Sequence, residues 1–351
     1  MTTAAVSASR WPAPYAVDAL GSGLAILVNA NAKRGGRRVA AQIARALPGA
    51  SVRLTKSTEE IEAWLRVLPP PQGVLAAGGD GTAVALVNAL ARVTAKDAPL
   101  PTMGILPLGT GNGWANALGA PKLHRCLEML GRRSTAALPT RKFGLVEVEG
   151  GLAHFAGSGW DAMILEDYKR QLQATRGPGR HLSKSIYGYV SAALLRTTPK
   201  VALLGNPHLL IENLASDVYV MDDEGTPRRL ADAGYGSVLY DGPAGAASVG
   251  TCPEYGYRFK AFPFAERMPG FMSVRVYAGS PLCAVASMAR LWTGAHPLMG
   301  MHDWMAMAVR MTFSRPVPLQ VAGDALGPRQ TIEYRYSPRI ARMVDWRRMD
   351  F

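Results

Sequence analysis

Short apolar runs separated by amphipathic stretches organise the first 140 residues. The runs at 24–28, 51–54, 74–77 and 103–106 mark strands, and those at 24–28, 74–77 and 103–106 are apolar almost throughout, as expected for strands buried on both faces. Between them, Val39, Ile43 and Leu47 fall on one helical face, and Ile61, Leu65 and Leu68 on another. Ser57-Thr58-Glu59-Glu60 opens the second helix as a capping box, and Pro69-Pro70-Pro71 stops it. A third helix is predicted over 83–90. Strand alternating with helix predicts a doubly wound parallel sheet with helices on both faces. Ligands bind such sheets at the carboxyl ends of the strands. The polar loops at Asn29, Thr55, Gly78 and Gly109 all fall at that edge.

After about Leu138 the pattern changes. Runs at 144–148 and 152–155 read as paired strands joined by Glu149-Gly150-Gly151, with Gly157-Ser158-Gly159-Trp160-Asp161 closing the second and a helix starting at Ala162. A basic loop over 169–184 and a helix over 185–196 follow. Apolar runs at 209–211, 218–221, 237–240, 272–276, 309–313, 319–322 and 330–336 then alternate with turns, interrupted by a helix over 281–292. This texture predicts a β-sandwich-like domain. The expected class is therefore α/β plus β: a loose tail over 1–22, an α/β domain over 23–140 and a β-rich domain over 141–340. Residues 341–351 form a C-terminal tail that can pack back on the first domain.

The 351 residues suffice for two domains with a core each, and 48% hydrophobic content excludes a disordered chain. A net charge of +13 favours an anionic partner: a nucleotide, a nucleic acid or an acidic lipid surface. The aromatic residues are not interleaved with the basic runs, which argues against nucleic acid. The most apolar late stretch, 284–311, is broken by Arg290, His296, His302, Asp303 and Arg310, so no membrane span is expected. The start of the chain shows no leader pattern. Cys126, Cys252 and Cys283 lack metal-ligand spacing and fit a reducing cytoplasm. The six histidines show no ligand pattern either.

Gly78-Gly79-Asp80-Gly81-Thr82 stands where a strand turns into a helix. Glycines there let backbone amides approach a ligand, and the helix start adds unsatisfied donors and partial positive charge, which suits a polyphosphate. A carboxylate beside a phosphate is repulsive unless a divalent cation or a substrate hydroxyl lies between them. Asp80 is thus either a capping residue in a tight turn or a residue of the chemistry.

With these segments in place, the chain resembles the diacylglycerol kinase catalytic family, which includes sphingosine and ceramide kinases and soluble bacterial lipid kinases. The glycine-aspartate stretch is shared with NAD kinases and, less closely, phosphofructokinases. Asn29-Ala30-Asn31-Ala32-Lys33, Pro107-Leu108-Gly109-Thr110-Gly111-Asn112, Gly157-Ser158-Gly159-Trp160-Asp161-Ala162 and Tyr255-Gly256-Tyr257-Arg258-Phe259 stand in the family's order over roughly 24–340. The resemblance implies transfer of the ATP γ-phosphoryl group to a lipid hydroxyl, with Mg²⁺ bridging the phosphates. It implies nucleotide contacts from Asn29, Asn31, Lys33, Thr55, Gly78, Gly79, Gly81, Thr82, Gly109, Thr110, Gly111 and Asn112. It places Asp161 and Trp160 near the lipid acceptor in the β-rich domain. Three departures stand out: Gly113 and Pro269 where many members carry Asp, and Ala322 at the first Asp of an Asp-Gly-Glu segment. The general base is then Asp80, which also faces the metal, or else Asp324.

Expected partners are the lipid acceptor, an anionic membrane surface met through Lys169, Arg170, Arg176, Arg180 and Lys184, and a second copy of the chain. Nucleic acid is not expected, and the chain is placed in the cytoplasm, peripheral to a membrane. The alternatives are an NAD kinase-like enzyme for a soluble acceptor and a catalytically weak lipid-binding relative.

Overall fold

The computed structural model describes residues 23–32, 36–69, 71, 73–109, 112–132, 138–175 and 191–349. The predicted tail over 1–22 and the first half of the helix over 185–196 lie outside them. The chain divides into two units: one ends at Phe143 and resumes at Arg339, and the other runs Gly144–Pro338.

The four N-terminal runs become strands β1 (Leu24–Asn29), β2 (Ser51–Thr55), β3 (Gly73–Gly78) and β4 (Met103–Pro107). Helices α1 (Arg37–Ala46), α2 (Thr58–Val67), α3 (Asp80–Val93), α4 (Gly113–Ala117) and α5 (Leu123–Gly131) connect them and lead to β5 (Thr140–Phe143). In the second unit, β6 (Val146–Val148), β7 (Gly151–Ala153) and β8 (Phe155–Gly159) precede α6 (Trp160–Ala174), a π turn (Ala193–Thr197) and α7 (Thr198–Leu204). Then come β9 (His208–Asn213), β10 (Val218–Met221), β11 (Pro227–Arg229), β12 (Val238–Pro243), β13 (Ala246–Gly250) and β14 (Met272–Tyr277). Helices α8 (Pro281–Ala286) and α9 (Met288–Thr293), β15 (Met301–Ala306), β16 (Ala308–Val321) and β17 (Asp324–Tyr336) complete that unit. The last strand, β18 (Ala341–Val344), belongs to the first.

In the first unit the strand order is β2-β1-β3-β4-β18-β5. Strands β2, β1, β3 and β4 run parallel, β18 joins β4 in parallel, and β5 closes the edge antiparallel to β18. Every residue of β3 is buried, which explains a run with no polar position. The Ser57 hydroxyl accepts from the Glu60 amide at 3.3 Å, and the Glu60 carboxylate accepts from the Lys56 amide at 2.8 Å, so the capping signal starts α2 as read. The Arg339 guanidinium donates to the carbonyls of Ala91 at 2.7 Å and Lys96 at 3.2 Å. A cation at the carboxyl end of α3 thereby fastens the returning chain.

In the second unit the strands form a larger antiparallel sheet. Strand β16 pairs with β17 along one side, and on the other with β9 at Val309–Phe313 and with β8 at Leu319–Val321. The two runs read as separate strands, 309–313 and 319–322, are therefore one strand. Its register shifts between Thr312 and Val317, where Ser314, Arg315 and Pro316 are exposed and mimic a loop in the sequence. The helix expected over 281–292 is instead two, broken at Ser287. Strand β8 starts directly after His154, so Gly157-Ser158-Gly159 is strand, and α6 begins at Trp160. One core gathers Ile211, Val218, Val249, Val274, Met311, Phe313 and Tyr334 from six strands. No described helix is long and apolar enough to cross a membrane.

Beside this core lies a buried ion pair. Arg275 Nε donates to Asp303 Oδ1 at 2.6 Å, Nη2 to Oδ2 at 3.0 Å and Nη1 to the Ala261 carbonyl at 2.9 Å. His296 lies 3.5 Å from Asp303 with its other ring nitrogen 2.8 Å from the Asp222 carbonyl. Asp303→Asn should lower the unfolding free energy by about 3–5 kcal/mol, because Arg275 is left buried without a counter-charge. Urea denaturation of the mutant, and of the double replacement Arg275→Met with Asp303→Leu, checks this. The double mutant should recover most of the loss.

Candidate active site

The loops at the carboxyl edge of the parallel strands are tied to one another. Asn29 Nδ2 donates to Thr82 Oγ1 at 2.8 Å, joining the end of β1 to the first turn of α3. Asn29 Oδ1 accepts from the Asn31 amide at 2.8 Å, and Asn31 Nδ2 donates to the Lys56 carbonyl at 3.2 Å, reaching the end of β2. Thr55 is buried in register with Asn29. The amides of Leu108 and Gly109 donate to the Gly78 carbonyl at 2.9 and 3.2 Å. These bonds bring the β3–α3 turn against the loop after β4. A Cβ on Gly109 would stand 2.6 Å from Gly79 Cα and 2.7 Å from Asn112 Oδ1, so the contact requires glycine. A Cβ on Gly78 would collide with the Thr82 side chain. Gly81 is exposed in the first turn of α3, where the Thr82 and Ala83 amides donate to the Gly79 carbonyl at 3.0 and 3.1 Å.

Asp80 locks the two turns. Its Oδ2 accepts from the Gly113 amide at 2.7 Å and its Oδ1 from the Trp114 amide at 3.0 Å. Both donors open α4, so the carboxylate serves as a cap supplied from another helix. Burial pushes its carboxyl above the usual carboxylate range, against the two amides that lower it. Asn112 adopts a left-handed conformation with φ 49° and donates from Nδ2 to the Gly109 carbonyl at 3.0 Å. Its Oδ1 is buried and meets no donor among the described residues. Lys33, Thr110 and Gly111 lie outside those residues.

No group of three or more His, Cys, Asp or Glu side chains able to hold an ion occurs among the described residues, and both Asp80 oxygens already accept amides.

A second cluster lies in the other unit. Asp161, in the first turn of α6, turns into the sheet rather than capping its own helix. Its Oδ2 accepts from Gln320 Nε2 at 2.9 Å, from Ser248 Oγ at 3.5 Å and from the Tyr255 hydroxyl. A Cβ on Gly157 would strike that carboxylate, so glycine there admits it. Burial pushes the Asp161 carboxyl up to about 6, against the Tyr255 and Ser248 hydrogen bonds. Gln320 Oε1 accepts from the Gly323 amide at 2.8 Å, which extends the network to the β16–β17 turn. Ala322 and Gly323 form that turn, at φ 49° and 87°. Asp324, its side chain 75% exposed, lies 3.6 Å from Lys169 Nζ. Trp160 packs on Gly245 and edge-on to Tyr277 at 5.4 Å. Of the other aromatics, Phe262 and Phe264 are buried, Tyr255 stacks on Phe155, and Phe259 stacks on Trp292.

Residues 23–140 match the model of the diacylglycerol kinase catalytic domain. This domain belongs to that family. A 49-residue stretch is 47% identical to the diacylglycerol kinase of Bacillus subtilis, covering 14% of this chain and 15% of that protein. A 50-residue stretch is 48% identical to the eye-specific diacylglycerol kinase of Drosophila melanogaster, covering 14% and 3%. These matches thus span a small part of each curated relative. The crystal structure of a diacylglycerol kinase from Bacillus anthracis superposes with a TM-score of 0.58 over 92% of this chain and 97% of that one, at 15% identity. The fold is shared across both units, and the kinase-family domain carries the linked glycine turns.

The structure gathers Asn29, Asn31, Thr55, Gly78, Gly79, Asp80, Gly81, Thr82, Gly109 and Asn112 at one sheet edge, and Asp161, Trp160 and Asp324 in the other unit. Sequence reading missed Tyr255, Ser248 and Gln320 as the donors around Asp161. No periodicity marks them, and Gly157, four residues before Asp161, was the one available signal.

Gly109→Ala should weaken nucleotide binding at least tenfold and destabilise the kinase domain by about 1–3 kcal/mol through overpacking. Calorimetric titration with ATP and thermal melting read both. The carboxyl of Asp161 has its folded pKa raised from 3.8 to about 6, so its stabilising contribution is complete below the unfolded value and is lost as pH rises through about 6. Asp161→Asn should flatten this fall in stability, as followed by denaturant midpoints across that range.

Proposed function

We propose that the chain transfers the γ-phosphoryl group of ATP to the hydroxyl of a lipid. The observation that carries this reading is the pair of glycine turns clamped by Asp80 in a domain of the diacylglycerol kinase family. Backbone donors of the turns and of the α3 start hold the phosphates. The buried Asn112 Oδ1 accepts from a hydroxyl or exocyclic amine of the nucleotide. A divalent cation bound with the nucleotide would supply charge neutralisation there.

In this reading the Asp161 carboxyl accepts the hydroxyl of the acceptor head group, and Trp160 covers it. The bond between the γ-phosphorus and its bridging oxygen breaks, the lipid oxygen bonds to phosphorus, and ADP leaves. The hydroxyl proton passes to a carboxylate. Asp80 keeps a lone pair on each oxygen beyond its amide bonds, and burial raises its proton affinity, so it is the first candidate. Asp324 is exposed and paired with Lys169. The acceptor class is a diacylglycerol, ceramide or sphingoid lipid, met at the cytoplasmic face of an anionic membrane. Of the basic residues expected to meet that surface, Lys169 and Arg170 are described, whereas Arg176, Arg180 and Lys184 lie outside the described residues.

Purified protein with radiolabelled ATP and Mg²⁺ should label a lipid from a panel of these acceptors in mixed micelles. Binding of ATP without labelling of any lipid would overturn the reading. In single turnover at saturating ATP, Asp80→Asn should slow transfer by about 10²–10⁴-fold, and Asp324→Asn should change it little. Wild-type speed in Asp80→Asn with a dead Asp324→Asn enzyme would move the base to Asp324.

A further inference from the structure

Four large apolar side chains converge on one surface turn, centred on Gly279. Leu203 and Leu204 end α7 with 88% and 60% of their surface exposed, Leu282 opens α8 at 76%, and Met299 tips the turn before β15 at 83%. Helix α7 packs against α8. Asn206 Nδ2, just past α7, donates to the Gly279 carbonyl at 3.4 Å. The turn carrying Met299 comes in through the Ala278 amide, which donates to the Gly300 carbonyl at 2.7 Å. A Cβ on Gly300 would stand 2.8 Å from Gly279 N.

The exposure of α7 is built in. Asp167, buried on α6, accepts from Thr197 Oγ1 at 2.9 Å and from Lys200 Nζ. Of α7, Val201 turns inward and is buried, whereas Leu203 and Leu204 face out along with Lys200, whose side chain stays 45% exposed. The described segments 191–211 and 267–302, which supply all four apolar residues, contain no Asp or Glu, and Asp241, the exposed acid that β12 brings to 3.1 Å from His208, faces that histidine. Arg290 donates to the Pro297 carbonyl and Arg315 to the carbonyls of Leu204 and Gly205, which holds both side chains beside the patch.

We infer that the surface around Gly279 docks on an anionic bilayer, with Leu203, Leu204, Leu282 and Met299 entering the apolar layer and Arg290 and Arg315 meeting the head groups. Apolar burial supplies most of the attachment and anionic lipid adds a salt-sensitive part. The inference deepens the lipid-kinase reading by naming the face that reaches the acceptor, and its test needs no catalysis.

The experiment is flotation with phosphatidylcholine vesicles, with and without phosphatidylglycerol. Wild-type protein should float with the anionic vesicles, less so at high salt. The triple replacement Leu203→Ser, Leu282→Ser and Met299→Ser should lower the partition coefficient at least about tenfold, while ATP affinity stays unchanged. Met299→Trp should show a blue-shifted difference emission on those vesicles, a signal that a damaged fold would not give. Wild-type flotation by the triple mutant, no flotation by wild type, or a concentration-dependent dimer that the triple mutant abolishes would each overturn the inference. The kinase reading fails separately, if the protein floats yet labels no lipid in micelles.

Discussion

The clamp between Asp80 and the first two amides of α4 is the contact on which the N-terminal site depends. A carboxylate with both oxygens on backbone N–H groups, at 2.7 and 3.0 Å, forms charge-assisted bonds roughly twice as strong as neutral ones. The sequence poses a conflict here, since a carboxylate sits in a turn suited to phosphate. The geometry resolves it sideways: the charge of Asp80 is directed at the neighbouring loop. The same bonds keep the Gly79 and Gly109 backbones within reach of each other, and the Asn29–Thr82 bond extends the order to β1. Loss of the clamp would release the loop after β4 as a whole.

Two carboxyl groups in this chain are both pushed up by burial but meet different kinds of donor. Asp80 is held by main-chain amides at a helix start. Asp161 is surrounded by side-chain donors from the Tyr255 turn, β13 and β16, and burial dominates its proton affinity. Gln320 links it to the turn where Ala322 takes the left-handed conformation. That conformation costs an alanine about 1–2 kcal/mol. The residue at the family's usual carboxylate position therefore contributes backbone shape and no acid.

Much of the fold was legible, for identifiable reasons. Strands β1, β3 and β4 read clearly because burial on both faces leaves no polar position within them before the loop-facing end. Ser57 announced α2 because its hydroxyl has one good acceptor role there. Strand β16 read as two because its exposed Ser314-Arg315-Pro316 segment has loop chemistry while remaining paired at both ends. Strand β15 escaped notice because His302 and Asp303 interrupt its apolar run, and Asp303 is buried only by virtue of Arg275 on the adjacent strand.

The chain by itself determined the local events: which runs are buried, where helices start, and which turns need glycine. These follow from side-chain polarity and backbone sterics within a few residues. Only the tertiary structure decided which partners distant groups find. It gave Asp80 the amides of residues more than thirty positions away, ringed Asp161 with donors from three separated segments, and inserted β18 beside β4. It also left Leu203, Leu204, Leu282 and Met299 on one surface, although periodicity alone would assign such residues to a core. Hydrogen bonds and ion pairs between remote segments leave no period in a sequence, because what fixes them is the closing of the sheet around its core.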